Sequence, residues 1–315
     1  MAFKPIDTSK IKTYSLTVRK SKVDAEFAGR PFTPGGSFTS FMDSLPKILA
    51  ADSFREVAAA IAASKRRGCT VALGMGAHVI KVGLTPVVID LMERGILSAI
   101  AMNGAGIVHD FEMAYQGRTS EDVDAEIGTG TFGMAEETGR LINEAINAGV
   151  ADGLGIGASM GRAIASGGLK YPEKSLLAAA YRLGVPATVH VAVGTDIVHM
   201  HPSADGAAIG EGSMRDFRLF AGVVASMEGG VYINLGSAVL MPEVFLKAVT
   251  LARNLGSPLE KITTVNMDFM QGYRPNTNVV RRPTMKGGKG YALTGHHEIM
   301  FPLLAAAVLE ELSKA

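Results

Sequence analysis

The stretch "AIAMNGAGIVHD", residues 99–110, carries the clearest sign of the fold. Four small apolar residues, Ala99 to Met102, stop at Asn-Gly-Ala-Gly, and a histidine and an aspartate then follow together. An apolar run that ends in glycines is typical of a buried strand that leads into a ligand-binding turn. A helix cap alone would need only the aspartate, so the pair His109 and Asp110 is a candidate for binding or chemistry.

The pattern of helix, strand and glycine turn recurs on both sides of this stretch. Upstream, "SFREVAAAIAASKRRG" is predicted to be a helix, "CTVALGMG" a strand and "TPVVIDLMERG" a second helix. After a less regular region at 115–170, the alternation resumes and gives six strand candidates in all. Such alternation predicts an α/β protein with a doubly wound, mostly parallel sheet. We expect one domain over residues 51–315, preceded by an irregular N-terminal arm over residues 1–50.

Composition excludes several classes of protein. The formal net charge is +1, which gives no sign of a nucleic-acid or membrane partner. Cys69 is the single cysteine, so the chain forms no internal disulfide and no thiolate metal site. The polar start of the sequence has no apolar leader segment, and no run of eighteen apolar residues occurs. We therefore expect a cytoplasmic protein that acts on a small molecule.

The loops that follow the predicted strands are the places to look for a site. In open parallel sheets, ligands bind at the carboxyl ends of the strands. Six of the seven histidines lie in these loops, and His190 lies on a strand that leads into one. This distribution predicts a single polar site. The loops are 74–78, 103–110, 194–201, 235–238, 268–272 and 294–297.

Two of these loops contain Gly-x-Gly, at 74–76 and at 104–106. Glycines at such positions either let the backbone approach a phosphate or permit tight packing of strand against helix. Neither loop completes the dinucleotide motif G-x-G-x-x-G, because Val79 and His109 occupy the third glycine position. The segment "GIGASMG" at 155–161 has no strand before it and is a weaker candidate.

The order of these loops and of the last helix resembles the deoxyhypusine synthase family over roughly residues 50–310. The resemblance implies a Rossmann-like core that binds NAD and a homotetramer with active sites at the dimer interface. Members of the family oxidise spermidine with NAD and pass its aminobutyl group to a lysine through an enzyme-linked imine; some relatives make homospermidine. The segments that carry the resemblance are "GMGAHVIKVGL", "MNGAGIVHD", "VGTDIVHMH", "YINLGSAV", "RPNTNVV" and "TGHHEIMFPLL".

The cofactor half of the family's site has counterparts in this sequence. The resemblance places residues 77 and 78 at the pyrophosphate and ribose of NAD, and residues 103–105 in the second NAD loop. It places His109 and Asp110 where the family has acidic side chains against the ribose. The predicted cofactor-binding residues are Gly76, Ala77, His78, Asn103, Gly104, Ala105, His109, Asp110, Asp196, Gly295 and His296.

The catalytic half of the family's site is not kept. The family's imine-forming lysine lies in a Ser-Trp-Gly-Lys segment after Arg-Pro, but here Arg274-Pro275 leads into "NTNVVRRPT" and the chain has no tryptophan. Met270 and Thr277 stand where the family has acidic residues that bind the polyamine, and Met241 stands at its catalytic histidine. His199 occupies the position of a further acidic residue.

These changes predict an NAD-dependent transferase or oxidoreductase whose substrate is not spermidine. Carboxylates are lost, and Arg281 and Arg282 add guanidinium groups, so we expect an anionic substrate. His199 is the predicted general acid or base, because imidazole titrates near neutrality. Lys286 is a candidate for a displaced catalytic amine, and Lys289 is an alternative. The two arginines are also compatible with a solvated basic turn.

Three other functions stay open at this stage. One is polyamine aminobutyl transfer, with Lys286 or Lys289 in place of the missing lysine. Another is a metal-dependent hydrolase, since His199 and His201 would point the same way in an extended segment. We favour hydrogen bonds from these histidines to ribose, phosphate or backbone, and so predict no metal. The last is a catalytically silent subunit that binds a nucleotide.

Overall fold

The predicted alternation of strands and helices is realised in a sheet of six strands that is parallel throughout, in a computed structural model that describes residues 2–314. Its strand order is β3-β2-β1-β4-β5-β6, and each neighbouring pair runs in parallel. This is the order of a doubly wound Rossmann-type sheet, so the predicted fold class is confirmed. The strands are β1 (Val71–Met75), β2 (Ala99–Asn103), β3 (Ala187–His190), β4 (Val231–Leu235), β5 (Thr263–Asp268) and β6 (Lys289–Thr294).

Helices connect the strands and cover the sheet. Residues 71–75 of the central strand β1 are all buried, as expected for a parallel strand with helices on both faces. The helices are α1 (Phe38–Ser44), α2 (Leu49–Arg66), α3 (His78–Lys81), α4 (Thr85–Glu93), α5 (Gly104–Gln116), α6 (Val123–Glu126), α7 (Glu136–Ala151), α8 (Ile156–Ser166), α9 (Leu176–Leu183), α10 (Gly206–Ala225), α11 (Leu240–Asn254), α12 (Tyr273–Pro275) and α13 (His297–Ser313).

The core beneath the functional edge is built around Tyr232 on β4. Its ring is fully buried and stacks on Phe245 of α11, with the ring centroids 3.7 Å apart. A Cβ atom added at Gly74 would lie 2.0 Å from the Tyr232 hydroxyl oxygen. The first glycine of the 74–76 motif therefore makes room for a core side chain, whereas the second faces another backbone, as described below.

The glycine-rich segment at 155–161 begins helix α8. A Cβ atom at Gly157 would lie 2.0 Å from the carbonyl oxygen of Ala187, so this glycine lets α8 pack closely on β3. The buried carboxylate of Asp216 joins the two elements, since it accepts hydrogen bonds from the backbone N–H groups of Gly157 (2.9 Å) and Val189 (2.8 Å). Gly157 therefore serves the packing of α8 on β3.

The chain divides into two units, one ending at Asp52 and one beginning at Ser53. In the first unit, residues 2–37 are exposed and contain two short 3-10 turns, Leu16–Val18 and Ala25–Phe27. The backbone N–H of Lys47 donates to the carbonyl of Phe27 (2.9 Å) and ties this unit together. Between residues 2 and 314, no helix combines the length and apolar character needed to cross a membrane.

Candidate functional site

The candidate site lies at the carboxyl edge of the sheet, where the strand order reverses between β1 and β4. The Gly76 N–H, just past β1, donates to the carbonyl of Leu235 at the end of β4 (3.0 Å). A Cβ atom at Gly76 would lie 2.2 Å from the carbonyl oxygen of Gly236. Two backbones thus meet here without intervening side chains. Ligands of doubly wound sheets bind at this reversal point, and glycines there allow a close backbone approach.

His297, the first residue of α13, lies beside this point and was missed in the sequence analysis. Its side chain is 1% exposed, and neither ring nitrogen has a hydrogen-bond partner. Its Nε2 atom is 3.5 Å from Oδ1 of Asp268 at the end of β5. A Cβ atom at Gly236 would lie 2.8 Å from the His297 ring. The buried imidazole of His297 therefore places a polar group beneath the floor of the crevice.

His78 and His296 lie on the exposed side of this histidine cluster. The His78 ring centroid is 5.5 Å from that of His297, and the His296 ring stacks on Phe269 at 5.9 Å. Partial burial, with the neighbouring His297 and Lys81, lowers the pKa of His78 below its ordinary value. His78 is therefore unprotonated at neutral pH and can accept a proton from a ligand.

The ends of β2 and β3 contribute a second group of polar atoms. Asn103 ends β2, and its Oδ1 atom is buried without a partner. Asp196 is 8% exposed, and its Oδ2 atom is likewise buried without a hydrogen-bond partner. A Cβ atom at Gly104 would lie 1.9 Å from that oxygen, so the glycine makes room for the carboxylate. Buried oxygens without partners need hydrogen-bond donors, which a ligand rich in hydroxyl groups would supply.

Burial raises the pKa of Asp196, while His199 and the backbone N–H of Ala105 oppose the rise. Nε2 of His199 lies 4.0 Å from the Asp196 carboxylate. Nδ1 of His199 accepts a hydrogen bond from the N–H of Gly194 (3.2 Å), which leaves Nε2 as the protonated nitrogen of the neutral ring. His199 is thus oriented toward Asp196 and placed within the site.

Asp110 has a structural role, and the prediction that it binds the cofactor is wrong. Helix α5 begins at Gly104, so residues 104–110 are helical and not a loop. The fully buried Asp110 carboxylate accepts hydrogen bonds from the Ser175 hydroxyl (2.5 Å) and the N–H groups of Leu176 (2.7 Å) and Leu177 (3.2 Å). It therefore caps α9, and burial raises its pKa to about 6.

The extended segment that would let His199 and His201 point the same way is not present. Residues 197–200 form a 3-10 turn rather than an extended segment. His201 instead contacts the Ser203 hydroxyl through Nδ1 (2.7 Å) and Glu136 through Nε2 (3.1 Å). In the part of the chain from 2 to 314, no group of three or more His, Cys, Asp or Glu side chains is placed to hold a metal ion.

Arg281, Arg282 and Lys286 lie away from the site, contrary to the prediction. After β5 the chain turns back through a π-helix (Asn276–Arg281), and the carbonyl of Val279 accepts a hydrogen bond from Thr264 near the start of β5 (2.7 Å). The segment 281–288 therefore lies at the amino edge of the sheet, before β6 begins. All three side chains are exposed there. The backbone of all three residues therefore lies at the edge of the sheet opposite the candidate site, although Nη1 of Arg282 reaches back to Oδ1 of Asn278 (2.7 Å).

The remaining predicted residues lie at the carboxyl edge. Gly295 follows β6, and its N–H donates to the carbonyl of Asp268 (3.2 Å). Ala77 precedes α3, and Ala105 lies in the first turn of α5 beside Asp196. The loops after β1, β2, β3, β5 and β6 thus lie along one edge of the sheet.

No family model and no curated protein matches the chain. Solved structures that share its fold do match. A candidate LOR/SDH protein from Methanococcus maripaludis S2 has a TM-score of 0.53 and 18% identity, over 84% of this chain and 71% of that one. A candidate deoxyhypusine synthase from Entamoeba histolytica has a TM-score of 0.52 and 14% identity, over 90% and 96%.

AgrE, in a ternary complex with ornithine and NAD+, has a TM-score of 0.53 and 16% identity. The match covers 85% of this chain and 35% of AgrE. At these identities the likeness is one of fold alone. The relation to deoxyhypusine synthases is therefore a distant one at the level of fold.

Proposed function

We propose that this chain binds NAD across the reversal point of its sheet and uses it to oxidise a small molecule. The reversal of the strand order between β1 and β4 carries the proposal, because doubly wound sheets bind ligands in the crevice at this point. Asp196, whose Oδ2 atom lacks a partner, would accept a hydrogen bond from a ribose hydroxyl. That NAD+ occupies AgrE, a protein of the same fold, supports the choice of dinucleotide.

His78 is the proposed proton acceptor for the oxidation. NAD, when bound, would supply the acceptor for the hydride that the substrate loses. The substrate's hydroxyl or ammonium group must lose a proton in the same reaction. His78 is exposed at the crevice, and its lowered pKa keeps it in the base form at neutral pH. His297 and Asp268 beneath it would hold this ring in place.

The position of the arginines changes the expected charge of the substrate. The anionic substrate was inferred from Arg281 and Arg282, which lie at the opposite edge of the sheet. The charged side chains near His78 are of both signs, since Lys81 lowers its pKa while Glu298 and Asp268 raise it. These charges favour neither an anionic nor a cationic ligand. We therefore propose a small alcohol or amine as the substrate, because either carries the proton that His78 would accept.

Calorimetric titration of the chelator-treated protein with NAD+ tests the proposal. Binding with a micromolar Kd is expected. Reduction of NAD+ to NADH, followed by its absorbance, would then identify substrates in a panel of small amines and alcohols. Absence of NAD+ binding up to millimolar concentrations would overturn the proposal. Binding without reduction by any compound would instead support a silent nucleotide-binding subunit.

We also propose that the protein forms a homo-oligomer. Residues 2–37 are exposed in the single chain and include large apolar side chains such as Phe3 (95% exposed) and Ile6 (88%). Such exposure is unusual in a monomer, because contiguous apolar surface generally marks an interface. Light scattering after size-exclusion chromatography is expected to give a multiple of the 33.0 kDa chain mass. A mass equal to one chain would contradict the proposal.

A further inference from the structure

Behind the site, a partly buried chain of hydrogen bonds between helix α5 and the segment that follows it orients His109. The Thr119 hydroxyl donates to Oε2 of Glu112 (2.5 Å), and its oxygen contacts Nδ1 of His109 (2.6 Å). The second oxygen of Glu112 accepts from the Thr138 hydroxyl (2.9 Å). Glu112 is buried, and both of its carboxylate oxygens are engaged. We call this set of residues, Glu112, Thr119 and His109, the relay.

The relay fixes the tautomer of His109. A hydroxyl group has one proton, and Thr119 gives it to Glu112, so the Thr119 oxygen can only accept from His109. Nδ1 of His109 must then carry the proton, and Nε2 presents a lone pair. Burial, with a smaller contribution from Lys81, lowers the pKa of His109 to about 4. The ring is thus neutral at physiological pH, and Nε2 is a pure hydrogen-bond acceptor.

His109 lines a cavity of about 230 Å³ that extends from α5 to the loop after β3. Val108, Val123, Phe132 and Ile197 provide apolar walls for a flat ring. The polar side chains that line it include Lys81 and Asp196, the latter with its unpartnered Oδ2 atom. Glu112 and Glu121 also line it, so the cavity combines one cation and several acceptors with apolar walls that suit the base and ribose of a nucleoside.

The cavity adjoins the end of β2 where α5 begins. In sheets with this strand order, an acidic side chain beyond the first strand–helix unit binds the adenosine ribose of NAD. Here β2 ends in Asn103, and the carboxylate comes from Asp196 after β3. The ribose expected from the proposed function would therefore lie at the cavity, with its base directed between the apolar walls.

We propose that this cavity binds the adenine of NAD and that the relay makes the site selective for adenine. Nε2 of His109 would accept a hydrogen bond from the 6-amino group. Hypoxanthine has a carbonyl oxygen at that position, so two lone pairs would face each other. The inference rests on the proposed function, since it requires that a dinucleotide occupies the crevice. It concerns a separate question, which is how the site selects its base.

The test compares NAD+ with nicotinamide hypoxanthine dinucleotide by calorimetry. The two cofactors differ at the 6-position of the purine, where an amino group becomes a carbonyl, and at N1, which carries a proton only in hypoxanthine. A lost hydrogen bond that leaves a buried acceptor unpaired weakens binding by a factor of roughly ten or more. We expect the wild-type protein to bind NAD+ at least tenfold more tightly than the hypoxanthine analogue.

Thr119→Val is the decisive variant, and Thr138→Val is its matched control. Each removes one hydroxyl that donates to Glu112, but only Thr119→Val breaks the contact with His109. Without Thr119 the imidazole can place its proton on Nε2 and donate it to the hypoxanthine oxygen. We expect the preference for NAD+ to fall toward equality in Thr119→Val and to persist in Thr138→Val. Thermal melting of both variants shows whether each is folded.

The outcomes separate the two proposals. Equal binding of both cofactors by the wild type would overturn adenine selection while leaving NAD binding in place. A preference for NAD+ that persists in Thr119→Val would overturn the role of the relay, and it too would leave NAD binding in place. Failure of both cofactors to bind would overturn the proposed function and this inference together.

Discussion

Gly76 and Gly236 face each other across the reversal point of the sheet, and a Cβ atom at Gly76 would lie 2.2 Å from the Gly236 carbonyl oxygen. Each glycine follows one of the two central strands, β1 and β4. Both sides of the contact are backbone, so no side-chain rotation can relieve an overlap. The ends of β1 and β4 can therefore lie this close together only because residue 76 has no side chain.

Replacement of Gly76 by alanine is expected to destabilise the protein and weaken NAD binding. Overpacking of a tight site typically lowers the free energy of unfolding by about 1–3 kcal/mol. The shift of the strand ends should also reduce NAD+ affinity by roughly tenfold or more. Gly206→Ala is the control, because no atom lies within 4 Å of the added Cβ at that position on α10. Equal melting temperatures for the two variants would refute this prediction.

Asp196→Asn should reduce NAD+ affinity by roughly tenfold, since hydrogen bonds to charged groups contribute about 1.5–3 kcal/mol. Binding of NADP+ should fall less, because its 2′-phosphate is repelled by the native carboxylate. The change in the NAD+ to NADP+ ratio is measured by calorimetry. Asp90→Asn, which alters an exposed ion pair with Arg94 on α4, should leave the ratio unchanged. An unchanged ratio in Asp196→Asn would remove this residue from the ribose site.

The arginines at the amino edge provide a test of the site's location. Arg281→Ala and Arg282→Ala are expected to leave NAD+ affinity within about twofold of wild type, since neither lies near the crevice. Lys81→Ala, which removes a cation from the lining of the cavity, should weaken binding more strongly. A large loss of affinity in either arginine variant would show that these residues approach the cofactor, for instance from a second copy of the chain.

Asp216 should make stability depend on pH. Burial raises the pKa of its carboxyl from 3.8 to about 7 in the folded protein. The folded state therefore binds the proton more tightly than the unfolded state. This contribution to the free energy of unfolding is fully present below about pH 4 and is lost as pH rises through about pH 7. Its size is on the order of 4 kcal/mol.

Urea denaturation at about pH 5 and about pH 8 measures this effect, with Asp216→Asn for comparison. The asparagine cannot titrate, so its pH dependence should be weaker than that of the wild type. His109 and His190, whose pKa values burial lowers to about 4, act in the opposite direction in both proteins and cancel in the comparison. Asp152→Asn, an exposed residue paired with Arg162, is the control. Parallel pH profiles for wild type and Asp216→Asn would contradict the prediction.

The parallel sheet, though not the order of its strands, was predictable from short apolar runs, most of which lead into glycine. These runs are local, and burial on both faces of a parallel sheet explains why they are continuously apolar. The boundary between strand and helix was less predictable. "NGAGIVHD" looked like a loop because of its glycines, yet Gly104 is the first residue of α5. Residue 104 must be glycine because a side chain there would overlap the carboxylate of Asp196, which lies 92 residues later. A local sequence pattern cannot predict such a contact.

The sequence predicts which loops lie at the candidate site, but not which side chains in those loops face it. His109 and Asp110 are adjacent, yet a helix turns successive side chains to different directions, so one lines the cavity and the other caps α9. His297 was overlooked in favour of His296, because sequence gives no sign of which of two adjacent histidines is buried. Arg281 and Arg282 were assigned by resemblance to a family segment, and the π-helix carries them to the other edge.

The pairing of β1 with β4 also has a consequence for synthesis of the protein. Leu73 pairs with Ile100 on one side and with Ile233 on the other, about 160 residues later in the chain. At about 5–20 residues per second, a ribosome needs roughly 8–32 s to make the second partner after the first strand. Throughout that interval one edge of a fully apolar strand has no native neighbour. The crevice between β1 and β4 is thus among the last parts of the nascent chain to assemble. Until β4 is made, the unpaired edge of β1 is a site where a chaperone would protect the chain.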